Sequence, residues 1–274
     1  MTTCYKGYTL RALAVAALAS AGFAGSAQAA TTWTENFGTC TNNTKISNNG
    51  AFSAYDPCGS GTSSNVRVGA FASNGSTLIS GQTWSFGSGG LGVVNSNESV
   101  NSTGPHAVDS YNGIDSLVLN FSSLASLTAL TIGWNGTDNP SWTDGINYKD
   151  SDLSVYAWTG ALTGPSTWDK SNSGWTLIGE YGNVGKNDAD DNKQVLNTSI
   201  YSSYWLISAL GGSTGTDCAN VTKDKCVDAF KLLSVAGTTF TPPTTNVPEP
   251  GSLALLGLGA LGLLAARRQS ASRR

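Results

Sequence analysis

The sequence predicts an all-β fold, an antiparallel β-sandwich or jelly roll, flanked by an N-terminal signal peptide and a C-terminal hydrophobic helix. Three observations predict the body. Short stretches alternate apolar and polar residues with period two, as in Ser116–Phe121, where Leu117, Leu119 and Phe121 share one face. Gly, Asn, Asp and Ser bound these stretches and supply the backbone freedom and side-chain hydrogen bonds of turns. Charged residues are only 12% of the chain, too few for the Glu- and Lys-rich outer faces of stable helices.

From the amino end, Lys6 and Arg11 precede an apolar run from Ala12 to Ala24, and Ala27-Gln28-Ala29 has the A-x-A form that signal peptidase cuts. A charged region, an apolar run of about a dozen residues and a small-residue site describe a secretory signal peptide. Residues 1–29 are expected to be removed between Ala29 and Ala30, and Cys4 with them.

The body is expected over residues 30–238 as one β-domain. Strand patterns occur at Ser116–Phe121, Leu130–Trp134 and Leu153–Ala157, and again from Trp175. Tyr201–Leu210 reads as a short helix or a buried strand. Bulky apolar residues are sparse from Thr41 to Gly92, so long loops or edge strands are expected there. Many short strands favour a sandwich or jelly roll. Residues 239–246, with Pro242-Pro243 among threonines, form a stiff extended spacer.

The carboxyl end has three parts: Val247-Pro248-Glu249-Pro250, an apolar run over 252–266, and Arg267, Arg268, Arg273 and Arg274. As a transmembrane helix the run would rise about 1.5 Å per residue, roughly 22 Å in all, against a hydrocarbon core of about 30 Å. It is a marginal membrane anchor. The arginines belong on the cytoplasmic side, which leaves the body outside. These parts resemble the PEP-CTERM sorting signal of Gram-negative bacteria. The resemblance implies recognition by an exosortase, an integral-membrane cysteine transpeptidase. It also implies a transient inner-membrane intermediate, then delivery to the cell surface or extracellular matrix. An L-P-x-T-G sortase motif is absent, and a glycolipid-anchor tail would end apolar. Gly89–Val93, His106–Asp109, Asp115–Phe121, Ile132–Trp134, Asp150–Gly160 and Ser203–Ile207 resemble, in this order, a family of exosortase-dependent bacterial surface proteins. That resemblance implies a displayed β-domain and no catalysis.

Six of the 15 Lys and Arg lie in the two terminal segments and all 18 acids lie between them, so residues 30–250 carry nine bases against 18 acids, a net of −9. Such a body does not suit nucleic acid, whose phosphates need a basic patch. Cys40, Cys58, Cys218 and Cys226 survive maturation. In an oxidising compartment they read as two disulfides, the local pairs being favoured among three connectivities. His106 is the only histidine, so a Ser-His-Asp arrangement would have to run through it, and no G-x-S-x-G or H-E-x-x-H motif accompanies it. No enzyme and no cofactor are expected, a structural Ca²⁺ excepted. The body acids read as solvated turns, with Asp109, Asp150 and Asp152 as ligands if Ca²⁺ binds.

Trp134, Trp158, Trp175 and Trp205 fall in strand patterns and are expected in the core, while Trp142 and Trp168 lie in turn-rich segments and could stack on a sugar. The expected role is that of an exported, exosortase-processed protein, structural or adhesive in an exopolysaccharide matrix or biofilm. A carbohydrate-binding module is the alternative, and a secreted hydrolase the third reading. The partners would be signal peptidase, the exosortase and extracellular polysaccharide.

Overall fold

The computed structural model describes residues 30–48, 50–59, 65–74, 77–96, 106–110, 113–135, 151–161, 163–165, 173–185, 192–210, 228–240, 255, 257–264 and 267–268. The chain divides into two compact units, one spanning Ala30–Phe240 and one joining 1–29 with 241–274.

In the body the described strands are β1 (Thr31–Asn36), β2 (Thr44–Lys45), β3 (Val66–Asn74), β4 (Thr77–Ser85), β5 (Leu91–Asn95) and β6 (Val108–Asp109), then β7 (Ile114–Asn135), β8 (Ser151–Trp158), β9 (Trp175–Val184), β10 (Lys193–Val195), β11 (Ser202–Ala209) and β12 (Ala229–Thr239). All pairings are antiparallel, and the order is β1-β12-β5-β4-β3-β7-β11-β8-β9, with β12 also pairing β7. The path β12-β5-β4-β3-β7 therefore returns to β12. Instead of two stacked sheets, one sheet closes on itself in a barrel-like way, and β11, β8 and β9 extend it beyond β7.

One strand makes this closure possible. The first half of β7 lies between β3 and β11, and its second half pairs β12 and β10. Ser122, Ser123 and Leu124 are exposed at the corner between the halves. There β11 matches Ser202 to Ala125 but Tyr204 to Asn120, a bulge that turns β7. Trp205 pins the turn: its indole is fully buried and donates to the carbonyls of Ala125 at 3.0 Å and Ser202 at 3.2 Å. The two expected strands Ser116–Phe121 and Leu130–Trp134 are thus parts of one.

Leu117, Leu119 and Phe121 do share the inner face, with Val66, Val68, Leu153, Val155, Ile207, Phe230 and Leu232 in the same core. Each such aliphatic side chain, fully buried, stabilises the fold by about 1.5–3 kcal/mol. Tyr201–Leu210 contains the buried strand β11, not a helix. The Thr41–Gly92 region departs further from expectation, since β3 and β4 lie inside the sheet and not at its edge. Its apolar pattern is faint because β4 turns Thr83 and Ser85 inward while Trp84 is only half-buried. The inward hydroxyls are satisfied locally: Ser47 Oγ donates to Thr83 Oγ1 at 2.9 Å, and Ser85 Oγ accepts from the Gly87 amide at 3.2 Å. At the other end of the body, β12 runs through Thr239 and the Phe240 amide donates to the Leu124 carbonyl at 2.8 Å.

In the second unit residues 257–264 are helical, with Leu258, Leu261, Leu263 and Leu264 exposed. Among the described residues no helix is long and apolar enough to cross a membrane. Of the transmembrane helix expected over 252–266, residues 255 and 257–264 are described and helical, and the rest of the run lies outside the described residues.

Candidate functional site

Three places in the body gather chemistry-bearing residues. The first is where the sheet closes. Gly90 has φ of +95°, a region that favours glycine, and a Cβ there would meet the Leu232 carbonyl oxygen at 2.5 Å. A Cβ on Gly92 would strike the His106 carbonyl, and one on Gly133 would meet the Gly89 carbonyl at 2.7 Å. Three of the segments that resemble the surface-protein family, Gly89–Val93, His106–Asp109 and Ile132–Trp134, therefore meet where backbone packs on backbone. Their glycines serve the closure of the sheet.

Lys231 stands at the same place. It is 8% exposed, and its ammonium sits 4.0 Å from the Phe86 ring centre and 4.6 Å from that of Trp134. Burial pulls its pKa below the usual lysine value, while ring quadrupoles favour the charged form. Trp134 is consequently half-buried beside a cation and is not a core residue. The His106 ring, also half-buried, packs 6.4 Å from Trp84 and 6.3 Å from Phe86, centre to centre.

The second place holds acids. Asp109 is buried on β6, opposite Ala229. Next to Ala229, Asp228 accepts through Oδ1 from the Asp152 amide at 3.0 Å, and Asp152 Oδ1 accepts from the Asn183 amide at 2.7 Å. These carboxylates tie β8, β9 and the start of β12 together by capping backbone amides. Asp109 and Asp152 are thus near neighbours through Asp228, and Asp150 lies outside the described residues. Among the described residues no three His, Cys, Asp or Glu side chains are placed to hold a metal ion.

The third place is the outer face of the sheet. Phe71, Val118, Leu206 and Trp175 form a second apolar cluster, with Phe52, Tyr156, Trp158 and Tyr204 packed on it. Strands β3, β7 and β11 are therefore buried on both faces. Register fixes two rows across this face. One runs Val118, Leu206, Tyr156 and Leu177, and the other sets Arg67 beside Asn120 and Tyr204. Burial, foremost, raises the Tyr156 pKa; a hydrogen bond with Ser154 lowers it and the Glu180 charge raises it. Trp158 packs edge-on to Trp175 at 5.4 Å and donates through Nε1 to the Ala161 carbonyl at 2.8 Å. Trp158 and Trp175 thus sit in this second cluster, and of the four expected core tryptophans Trp205 alone belongs to the main core.

Arg67 and Lys231 escape the pattern of sequence motifs, because neither belongs to a spacing that names a chemistry. One signal was available for the first: Arg67 is the only arginine between residues 30 and 250. Cys40 and Cys58 form a disulfide, with Cα atoms 4.4 Å apart, while Cys218 and Cys226 lie outside the described residues. Trp142, Trp168, Ala29, Val247, Pro248, Glu249 and Pro250 also lie outside them. Ala30 is exposed just before β1, and Arg267 and Arg268 are exposed and helical.

No curated protein matches the chain. Among solved structures it is similar to the family 32 carbohydrate-binding module from Streptococcus pneumoniae EndoD, at 12% identity over 48% of this chain and 74% of that one, with a TM-score of 0.23. At that score the likeness carries no argument about fold or ligand. The PEP-CTERM protein-sorting motif matches residues 246–269. The chain therefore carries a PEP-CTERM sorting motif at its C-terminus, a signal that implies exosortase-dependent export to the cell surface.

Proposed function

We propose that the chain is a structural or adhesive protein of the bacterial surface. It is released from its signal peptide at Ala29–Ala30 and from its tail at Val247-Pro248-Glu249-Pro250. The observation that carries this reading is the sorting motif at 246–269. The fold agrees with it in one physical respect. The last described strand ends at Thr239, so seven residues, 240–246, separate it from Val247. Among the described residues a cut at the motif breaks no strand pairing, and a processing enzyme can act on a body that is already folded. The apolar run is a temporary stop at the inner membrane, with Arg267 and Arg268 on the cytoplasmic side. Changing Pro248, Glu249 and Pro250 together to Ala is expected to leave an unprocessed form in the membrane fraction. Unaltered processing and display would sink the reading.

A second reading, contact with extracellular polysaccharide, is favoured by the aromatic outer face, where Tyr55 and Leu177 are 45% and 47% exposed. Trp142 and Trp168 belong to this proposal as sugar-stacking residues; Trp168 lies in the connection between β8 and β9, whose ends bear Trp158 and Trp175. Unchanged retention of the Trp142→Ala/Trp168→Ala variant on a polysaccharide column would remove those two residues from it.

A further inference from the structure

We propose that Arg67, with Tyr55 beside it, is a binding site for a carboxylated glycan. This rests on the polysaccharide-contact reading above and names its site and ligand class. The electrostatic setting comes first. Residues 30–250 carry a net charge of −9, and Arg67 is their only arginine. An anionic polymer is repelled by most of such a surface and must find a specific cation.

The guanidinium is held in place from three sides. Its Nε donates to Asn120 Oδ1 at 2.6 Å. Asn120 is itself oriented, because its Nδ2 donates to the Ser203 carbonyl at 3.2 Å, which leaves Oδ1 facing the arginine. The ring centres of Phe52 and Tyr55 lie 5.0 Å and 5.3 Å from the guanidinium carbon. Those rings are fixed in turn. The Ser53 and Asp56 amides donate to the carbonyls of Val68 and Val66 at 2.8 Å and 2.7 Å, and the Cys40–Cys58 disulfide closes the segment just beyond.

A staple holding the 50–59 segment to the sheet would need only the rings and Nε. Among the described residues no carboxylate or carbonyl takes the two Nη groups. These are the edge of the guanidinium whose parallel N–H bonds match a carboxylate's two oxygens. Holding the arginine beforehand lowers the entropy lost on binding. Tyr55, 45% exposed, adds an aromatic face for the C–H face of a sugar ring. A carboxylate next to a sugar ring is the chemistry of a uronic acid, and at the cell surface its source is an acidic polysaccharide.

The test is isothermal titration of the purified full chain, in mild detergent, with oligogalacturonate, dextran sulfate and neutral dextran. Wild type should bind oligogalacturonate and not the other two. Arg67→Lys keeps the charge but loses the fork and the bond to Asn120, and should weaken binding about tenfold or more with the β-sheet circular dichroism signal retained. Tyr55→Ala, a change at an exposed position, should weaken binding several-fold and keeps the test decisive if Arg67→Lys misfolds. The proposal is overturned if oligogalacturonate does not bind, if Arg67→Lys or Tyr55→Ala binds it as wild type does, or if dextran sulfate or neutral dextran binds as well. Antibody labelling of whole cells is read separately. Normal display with no binding defeats this inference alone, whereas absent display defeats the proposed function and leaves the titration result standing.

Discussion

In the C-terminal segment the residues that act together are consecutive: a rigid Pro-Glu-Pro, an apolar run, then arginines. In the body they are scattered. Arg67 and Asn120 are 53 residues apart, Ser151 Oγ reaches the Ala229 carbonyl across 78, and Gly92 and Gly133 each pack on the backbone of another segment. The contrast has a physical origin. The sorting motif is matched along consecutive residues, 246–269, so order along the chain is the signal. A folded face gathers its groups by strand register, and a change of one residue in register would move every side chain to the other face. The segment carries a linear sorting motif, and the body gathers its groups through strand register.

That contrast can be broken most forcefully by truncation. Ending the chain before Ala229 removes β12, the partner of β1, β5, β6 and β7. The far-ultraviolet circular dichroism of such a chain should lack the sheet signal entirely, whereas ending it after Pro250 should change neither the spectrum nor the melting temperature. If the shorter truncation disturbs the body, the two regions are not separable. Next in size is Trp205→Ala, expected to cost about 3–5 kcal/mol in urea unfolding, because it empties the pin of the β7 corner. Cys40→Ser opens the Cys40–Cys58 loop and should cost about 2–4 kcal/mol, with sorting unaffected.

The smallest effect concerns Lys231. Its pKa is lowered in the folded state from 10.5, by burial, so between the two values the unfolded chain binds more protons than the folded one. Wild-type stability should therefore rise, relative to Lys231→Met, as pH climbs through the lowered value towards about 10.5, and level off above it. Urea midpoints across alkaline pH would check the sign. A falling difference would contradict the burial account.

Sequence patterning revealed strand content where one face alone is buried, as at Leu117, Leu119 and Phe121. It failed where alternation carries no information. Gly69, Ala70, Phe71 and Ala72 are buried in succession on β3, and β4 puts hydroxyls inside, so neither reads as a central strand. The exposed Ser122-Ser123-Leu124 corner made one strand look like two. The sorting signal was wholly legible because it is linear. The Cys40–Cys58 pairing was legible through sequence proximity. The Arg67 cluster was not, since its partners come from β7 and the 50–59 segment and meet only through register.

The central claim, a removable address on a self-sufficient body, is tested most directly by intact-mass analysis of the protein recovered from the cell surface. The account predicts a chain that begins at Ala30, ends close to Pro250 and keeps Cys40 and Cys58 oxidised. A surface species that still carries residues 1–29 and 251–274 would contradict it.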